Sequence, residues 1–188
     1  MKKRTSFVII FIFMILGLVL INTNYFWNKL TPVFYVDILN KYAGIYKIDP
    51  LLVAAIINVE SKFWTHAQSP VGAIGLMQIM PETGREVAGK LRINNFHDHD
   101  LYVPEINIRI GCYYLDEIRK ECGDDQIAWL ASYNAGKNLV KTWKQPGQPL
   151  EVGQIPYKET RNFVKQVLYN HKRLKLVQRI KQLITFRW

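Results

Sequence analysis

The sequence predicts a mainly α-helical protein. Three observations predict it: apolar residues recur at helical spacing in several segments, helix start and stop signals bracket them, and convincing alternating strand patterns are few. With 188 residues the chain has room for one well-buried domain and not for two ordinary ones. Apolar residues make up 49% and charged residues 21%, which excludes a disordered, collagenous or low-complexity chain.

The first element is membrane-like. Phe7 to Ile21 is an unbroken apolar run behind Lys2, Lys3 and Arg4. It is short for a span of about 17–25 residues, but Ser6 and the interfacial Tyr25-Phe26-Trp27 extend it. The run has no polar face, unlike an ordinary soluble helix. No Ala-x-Ala-like site follows it, and no cysteine for a lipid anchor. It reads as an uncleaved transmembrane signal anchor over residues 6–23, with residues 1–5 as a cytoplasmic stub and 24–34 as a spacer; a cleaved signal peptide is the alternative. With the basic residues inside, the rest lies outside the cytoplasm. The expected location is the cell membrane, single-pass, with the main domain on the extracytoplasmic side.

Helices follow in order. Val36–Tyr46 has Gly44 near its end, and Asp49-Pro50 supplies an N-cap and first-position Pro for Leu51–Glu60. Residues 61–80, rich in Gly, Ser and Pro, read as a loop or small irregular hairpin. Pro104–Cys122 is a long helix closed by Gly123, Asp124/Asp125 open another through Tyr133, and a further one runs from Tyr157/Thr160 to about Tyr169. Cys112 and Cys122, ten residues apart on one helix, are separated by about 15 Å. A disulfide needs Cα atoms within roughly 7 Å, so buried free thiols are expected.

The net charge of +10 sits at the ends. Lys2, Lys3 and Arg4 carry part of it, and from Lys158 onward there are nine Lys/Arg against one acid, Glu159. The body between is near neutral, a poor footprint for nucleic acid, which would need cations clustered on a folded face.

Glu60 is the most unusual residue. It ends a helix whose preceding turns are apolar on nearly every side, so its carboxyl is expected to be partly desolvated and its pKa raised. The negative end of the helix dipole pushes the same way. A carboxylic acid kept protonated near neutrality can protonate the leaving oxygen of a glycoside. Position alone favours a helix-end Glu pointing into water.

The neighbouring blocks change that balance. Glu60-Ser61, Gly75-Leu76-Met77-Gln78-Ile79-Met80-Pro81, Ser132-Tyr133-Asn134-Ala135-Gly136 and Ile155-Pro156-Tyr157-Lys158-Glu159-Thr160-Arg161-Asn162-Phe163-Val164 occur in order, with Asn107-Ile108-x-x-Gly111-x-x-Tyr114-Leu115 between them. Over about residues 35–170 the chain resembles the catalytic domain of the soluble lytic transglycosylases, relatives of goose-type lysozyme. The resemblance implies a lysozyme-like helical domain acting on peptidoglycan glycan strands. Such enzymes cleave the β-1,4 bond between N-acetylmuramic acid and N-acetylglucosamine and leave 1,6-anhydromuramoyl ends. Glu60 matches the single catalytic acid, which acts first as acid and then as base. No Asp or Glu lies between Ser61 and Pro81, which fits a mechanism in which the sugar's own C6 hydroxyl attacks.

The resemblance also assigns supporting roles. Ser69 and Gln78 match positions that hydrogen-bond sugar groups, and Met80 one that lies against the glycan. Tyr133 matches a tyrosine close to the reacting centre, and Asn134 helps shape that wall. Tyr157 and Glu159 match the last block, the glutamate supporting the substrate or the tyrosine. Ser61 is expected to orient Glu60. Ser132 and Phe163 stand where the family commonly has Ala and Tyr. No cofactor is implied. A hydrolytic muramidase, or a non-catalytic wall-binding or secretion-assembly module, are the other readings.

Three further signals stand apart. His97-Asp98-His99-Asp100 looks like a metal cluster but has no supporting ligand spacing elsewhere, so no metal site is expected. Trp129 and Trp143 either line a glycan cleft or serve the core. Residues 171–188 form a basic amphipathic helix, either docked with its charges in solvent or lying on an anionic membrane or wall polymer, where Phe186 and Trp188 would suit a membrane.

Overall fold

The structure, a computed structural model, describes residues 2–21, 23, 27, 33–145 and 147–184. Most of the expected spacer, together with Phe186 and Trp188, lies outside the described residues. The chain divides into two compact units, Tyr35–His171 and Met1–Phe34 with Lys172–Trp188.

In the smaller unit, α1 (Lys2–Ile21) is a helix of 20 residues, and its side chains from Ile9 to Leu16 are exposed. Among the described residues no single helix is long and apolar enough to cross a membrane.

The larger unit is helical, and its only described β-contacts are isolated bridges from Ile74 to Gln68 and Ile79. Its elements are α2 (Val36–Ile45), α3 (Pro50–Glu60), α4 (Pro81–Lys90), α5 (Pro104–Cys122), α6 (Gln126–Ala135), the short α7 (Lys137–Lys141) and the start of α8 (Lys158–Ile184). The central element is α3. Asp49 caps it, its carboxylate accepting from the Leu51 N–H at 2.9 Å, and Pro50 occupies the first turn. Leu52 to Ile57 are all buried, so the helix is apolar on every side because every side is interior. α2 packs against α3 and α5, and α5 against α6.

Two elements differ from the sequence reading. α4 was not expected; its signal is Pro81 at the first position and Glu82 in the first turn, diluted by Gly84 and Gly89. Gly84 packs closely, since a Cβ there would stand 3.0 Å from the Leu101 side chain and 3.2 Å from the Phe96 ring. α8 does not stop near Tyr169 but continues to Ile184, with neither Gly nor Pro to end it. Both thiols are free as expected, but only Cys112 is buried, which pushes its pKa up to about 12; Cys122 is half-buried.

Candidate active site

Glu60 is the last residue of α3, and the chain turns sharply behind it. Ser61 closes the helix, and Lys62 and Phe63 adopt left-handed backbone angles of φ 52° and 64°, a strained pair of turns for residues with side chains. The loop then folds back on itself. Gly75 N–H donates to the Ala67 carbonyl at 2.8 Å, and Ile74 and Ile79 exchange backbone hydrogen bonds at 2.9 and 3.0 Å.

Asn107 on α5 fastens this loop from below and is fully buried. Its side-chain oxygen accepts from Met77 N–H at 2.8 Å, and its amide nitrogen donates to the carbonyls of Ile74 at 3.0 Å and Leu101 at 2.8 Å. Gly75 admits this brace. A Cβ there would lie 2.3 Å from the Leu101 oxygen, and its φ of +79° already favours glycine. Gly111 does the same for Met77, whose sulfur would be 2.3 Å from a Cβ.

Above the loop lies an open cleft of about 430 Å3, with Glu60, Ser69, Gln78, Met80, Tyr133, Asn134 and Glu159 in its wall. Burial pushes the Glu60 carboxyl up to about 8, and the charge of Glu159 adds to the rise. Tyr133 donates its hydroxyl to the Met77 carbonyl at 2.6 Å, which binds α6 to the loop. Burial, and then the nearby Glu60, raise its own pKa well above 10. Gln78, at φ 48°, donates its amide to the Gly75 carbonyl at 3.0 Å. The Ser69 hydroxyl accepts from Ala73 N–H at 2.9 Å. Met80 is 41% exposed, an apolar surface turned to solvent at the cleft.

Ser61 and Tyr157 are placed elsewhere. The Ser61 hydroxyl is buried and donates to the Leu76 carbonyl at 2.8 Å, so it ties the loop to α3 and lies outside the cleft wall. The Tyr157 ring packs at a tilt on Trp143, 5.6 Å between centroids, outside the cleft wall. Trp129 is buried and, like Trp143, takes no part in that wall. Two hydroxyl-bearing cleft residues were given no role by the sequence. Tyr114 lies 5.8 Å from the Tyr133 ring, and Thr83 sits on the first turn of α4. Tyr114 falls within the Asn107-to-Leu115 stretch, the one signal that pointed to it.

A desolvated carboxylic acid at a helix end, opening on a cleft with polar and apolar walls in a helical domain, defines the lysozyme-like class. The chain belongs to the transglycosylase SLT domain family, which matches residues 37–151. The soluble lytic murein transglycosylase of Escherichia coli (strain K12) is 37% identical over 151 residues, 76% of this chain and 23% of that protein. The membrane-bound lytic murein transglycosylase E of Buchnera aphidicola is 47% identical over 87 residues, 45% of this chain and 41% of the relative. Among solved structures, an inactive mutant of the lytic transglycosylase Slt from Pseudomonas aeruginosa superposes with a TM-score of 0.74 at 31% identity, covering 82% of this chain and 26% of that one. The 70 kDa soluble lytic transglycosylase of E. coli gives 0.74 at 33% identity, covering 80% and 25%. This chain thus spans only 23% to 26% of the length of the E. coli and P. aeruginosa relatives.

Proposed function

We propose that this domain is a peptidoglycan lytic transglycosylase that cleaves the β-1,4 bond between N-acetylmuramic acid and N-acetylglucosamine. The observation that carries the proposal is Glu60, an acid with a pKa of about 8 in the wall of an open cleft. At neutral pH it holds a proton. It gives that proton to the glycosidic oxygen as the bond from C1 breaks, and N-acetylglucosamine leaves as an alcohol. The Glu60 carboxylate then takes the proton of the muramoyl C6 hydroxyl, whose oxygen bonds to C1. The product carries a 1,6-anhydro ring, and Glu60 is again protonated. The tethered hydroxyl gains from its high effective concentration. Proton donor, acceptor and nucleophile all come from Glu60 and the substrate, so the reaction calls for no cofactor.

In this reading Ser69, Gln78 and Asn134 hydrogen-bond the sugars, Met80 lies against a ring, and Tyr133 borders the reacting carbon. The activity for which the relatives are named supports it. A second reading rests on Glu159, which brings a second carboxylate to the cleft and could activate water as in a muramidase. Digestion of purified peptidoglycan by the full chain and by Glu60→Gln, with mass spectrometry of the fragments, separates these. Anhydro ends from the wild type alone are expected. Reducing ends would establish the hydrolase, and no release by a folded chain would leave a wall-binding module.

We further propose that α1 anchors the chain, with the domain on the extracytoplasmic side. What supports it is the apolar run Phe7–Ile21 directly behind Lys2, Lys3 and Arg4, with the side chains from Ile9 to Leu16 exposed on α1. Retention in the membrane pellet after alkaline extraction is expected, and release into the supernatant would overturn the anchor.

A further inference from the structure

The end of α8 carries a second amphipathic face that the catalytic reading does not use. Leu174 is buried at 6%, whereas Leu176, Ile180 and Leu183 are 57%, 37% and 86% exposed. At 100° per residue those three fall within an arc of about 60°, and Leu174 lies roughly opposite. The exposed stripe is flanked by the exposed cations Lys172, Arg173 and Arg179. No Asp or Glu follows Glu159 in the given sequence, so α8 itself supplies no acid beside the stripe.

Such a face asks for two things together. The leucines and isoleucine gain by leaving water, and the flanking cations gain beside anions. An anionic wall polymer offers charge but no apolar layer of helix width running along it. The interface of a bilayer rich in anionic phospholipid offers both, with headgroup phosphates above acyl chains. We propose that residues 172–184 lie along an anionic bilayer surface, with Leu176, Ile180 and Leu183 turned into the acyl boundary and Lys172, Arg173 and Arg179 on the phosphates. This rests neither on the catalytic reading nor on α1 being an anchor.

The test uses the full chain with a polarity-sensitive fluorophore on Leu183→Cys in a Cys122→Ser background, Cys112 being buried. The chain is placed in bilayers of phosphatidylglycerol and phosphatidylcholine, or of phosphatidylcholine alone, with brominated lipid as quencher. Quenching in the anionic bilayers and several-fold less in the zwitterionic ones is expected. The triple variant K172E/R173E/R179E should lower the docked population by on the order of 100-fold or more, since each basic residue at such a surface contributes roughly a factor of five. All three side chains are exposed and outside the cleft, so helicity and peptidoglycan turnover should persist. No quenching in either bilayer, equal quenching in both, or quenching that survives charge reversal would each overturn the proposal. So would charge-dependent sedimentation with anionic wall polymer in the absence of quenching, which would make the polymer the occupant.

Discussion

Replacing Glu60 by Gln should stabilise this protein at alkaline pH while removing its chemistry. In the folded state the Glu60 carboxyl titrates at about 8 rather than at its ordinary 4.5. Between those values the folded chain holds a proton that the unfolded chain has released, so stability falls as pH rises from about 4.5 to about 8 and is level beyond. At about 1.4 kcal/mol per tenfold change in proton affinity, full ionisation in the cleft costs about 5 kcal/mol. Solvent at the open mouth reduces that to about 3 kcal/mol. The amide of the Glu60→Gln variant is not ionisable and keeps nearly the same shape, so the cost vanishes. Urea unfolding of both full chains at pH 4.5, 6, 7 and 8.5 would show near-equal stability at the acid end and a gap of about 3 kcal/mol in favour of the variant at the alkaline end. Parallel curves across the whole range would refute the desolvated-acid account. The same titration predicts that kcat/KM on peptidoglycan declines above pH 8 as the general acid loses its proton.

Three further outcomes follow from the brace beneath the loop and the tyrosine above it. Asn107→Ala leaves the Met77 N–H and the Leu101 carbonyl without that partner, while the Ile74 carbonyl keeps Ile79 N–H. Urea unfolding should report a loss of about 3 kcal/mol, from two buried groups at roughly 1–3 each. Gly75→Ala forces a Cβ to 2.3 Å from a backbone oxygen at φ +79°, and a thermal melt should show a loss at least as large. Tyr133→Phe removes the 2.6 Å bond to the Met77 carbonyl, costing about 1 kcal/mol of stability. Turnover should fall much further, on the order of 100-fold, because that bond fixes the cleft wall beside Glu60. Steady-state rates alongside the melt would separate the two effects.

What the sequence determined by itself is what neighbours within a helical turn or two decide. Asp49 and Pro50 start α3 because a side-chain acceptor and a fixed φ act locally. Glu60 could be singled out because the apolar turns before it announce an interior helix, and the helical rise alone kept Cys112 and Cys122 apart. The family blocks pointed to Ser69, Gln78, Met80, Tyr133, Asn134 and Glu159, which the cleft brings together. Tertiary structure decided where hydroxyls and rings spend their bonds. Ser61 follows Glu60 in sequence yet turns to Leu76, and Tyr157 packs on Trp143, because each is held by a partner that chain order does not reveal. The second acid is the clearest case. The absence of Asp and Glu from Ser61 to Pro81 is true of the loop, but α8 delivers Glu159 to the same cleft, where its charge helps hold the Glu60 proton. Local propensity acts through backbone dihedrals and adjacent side chains; the proton affinity of a cleft acid is set by burial and by charges that packing brings in from far along the chain.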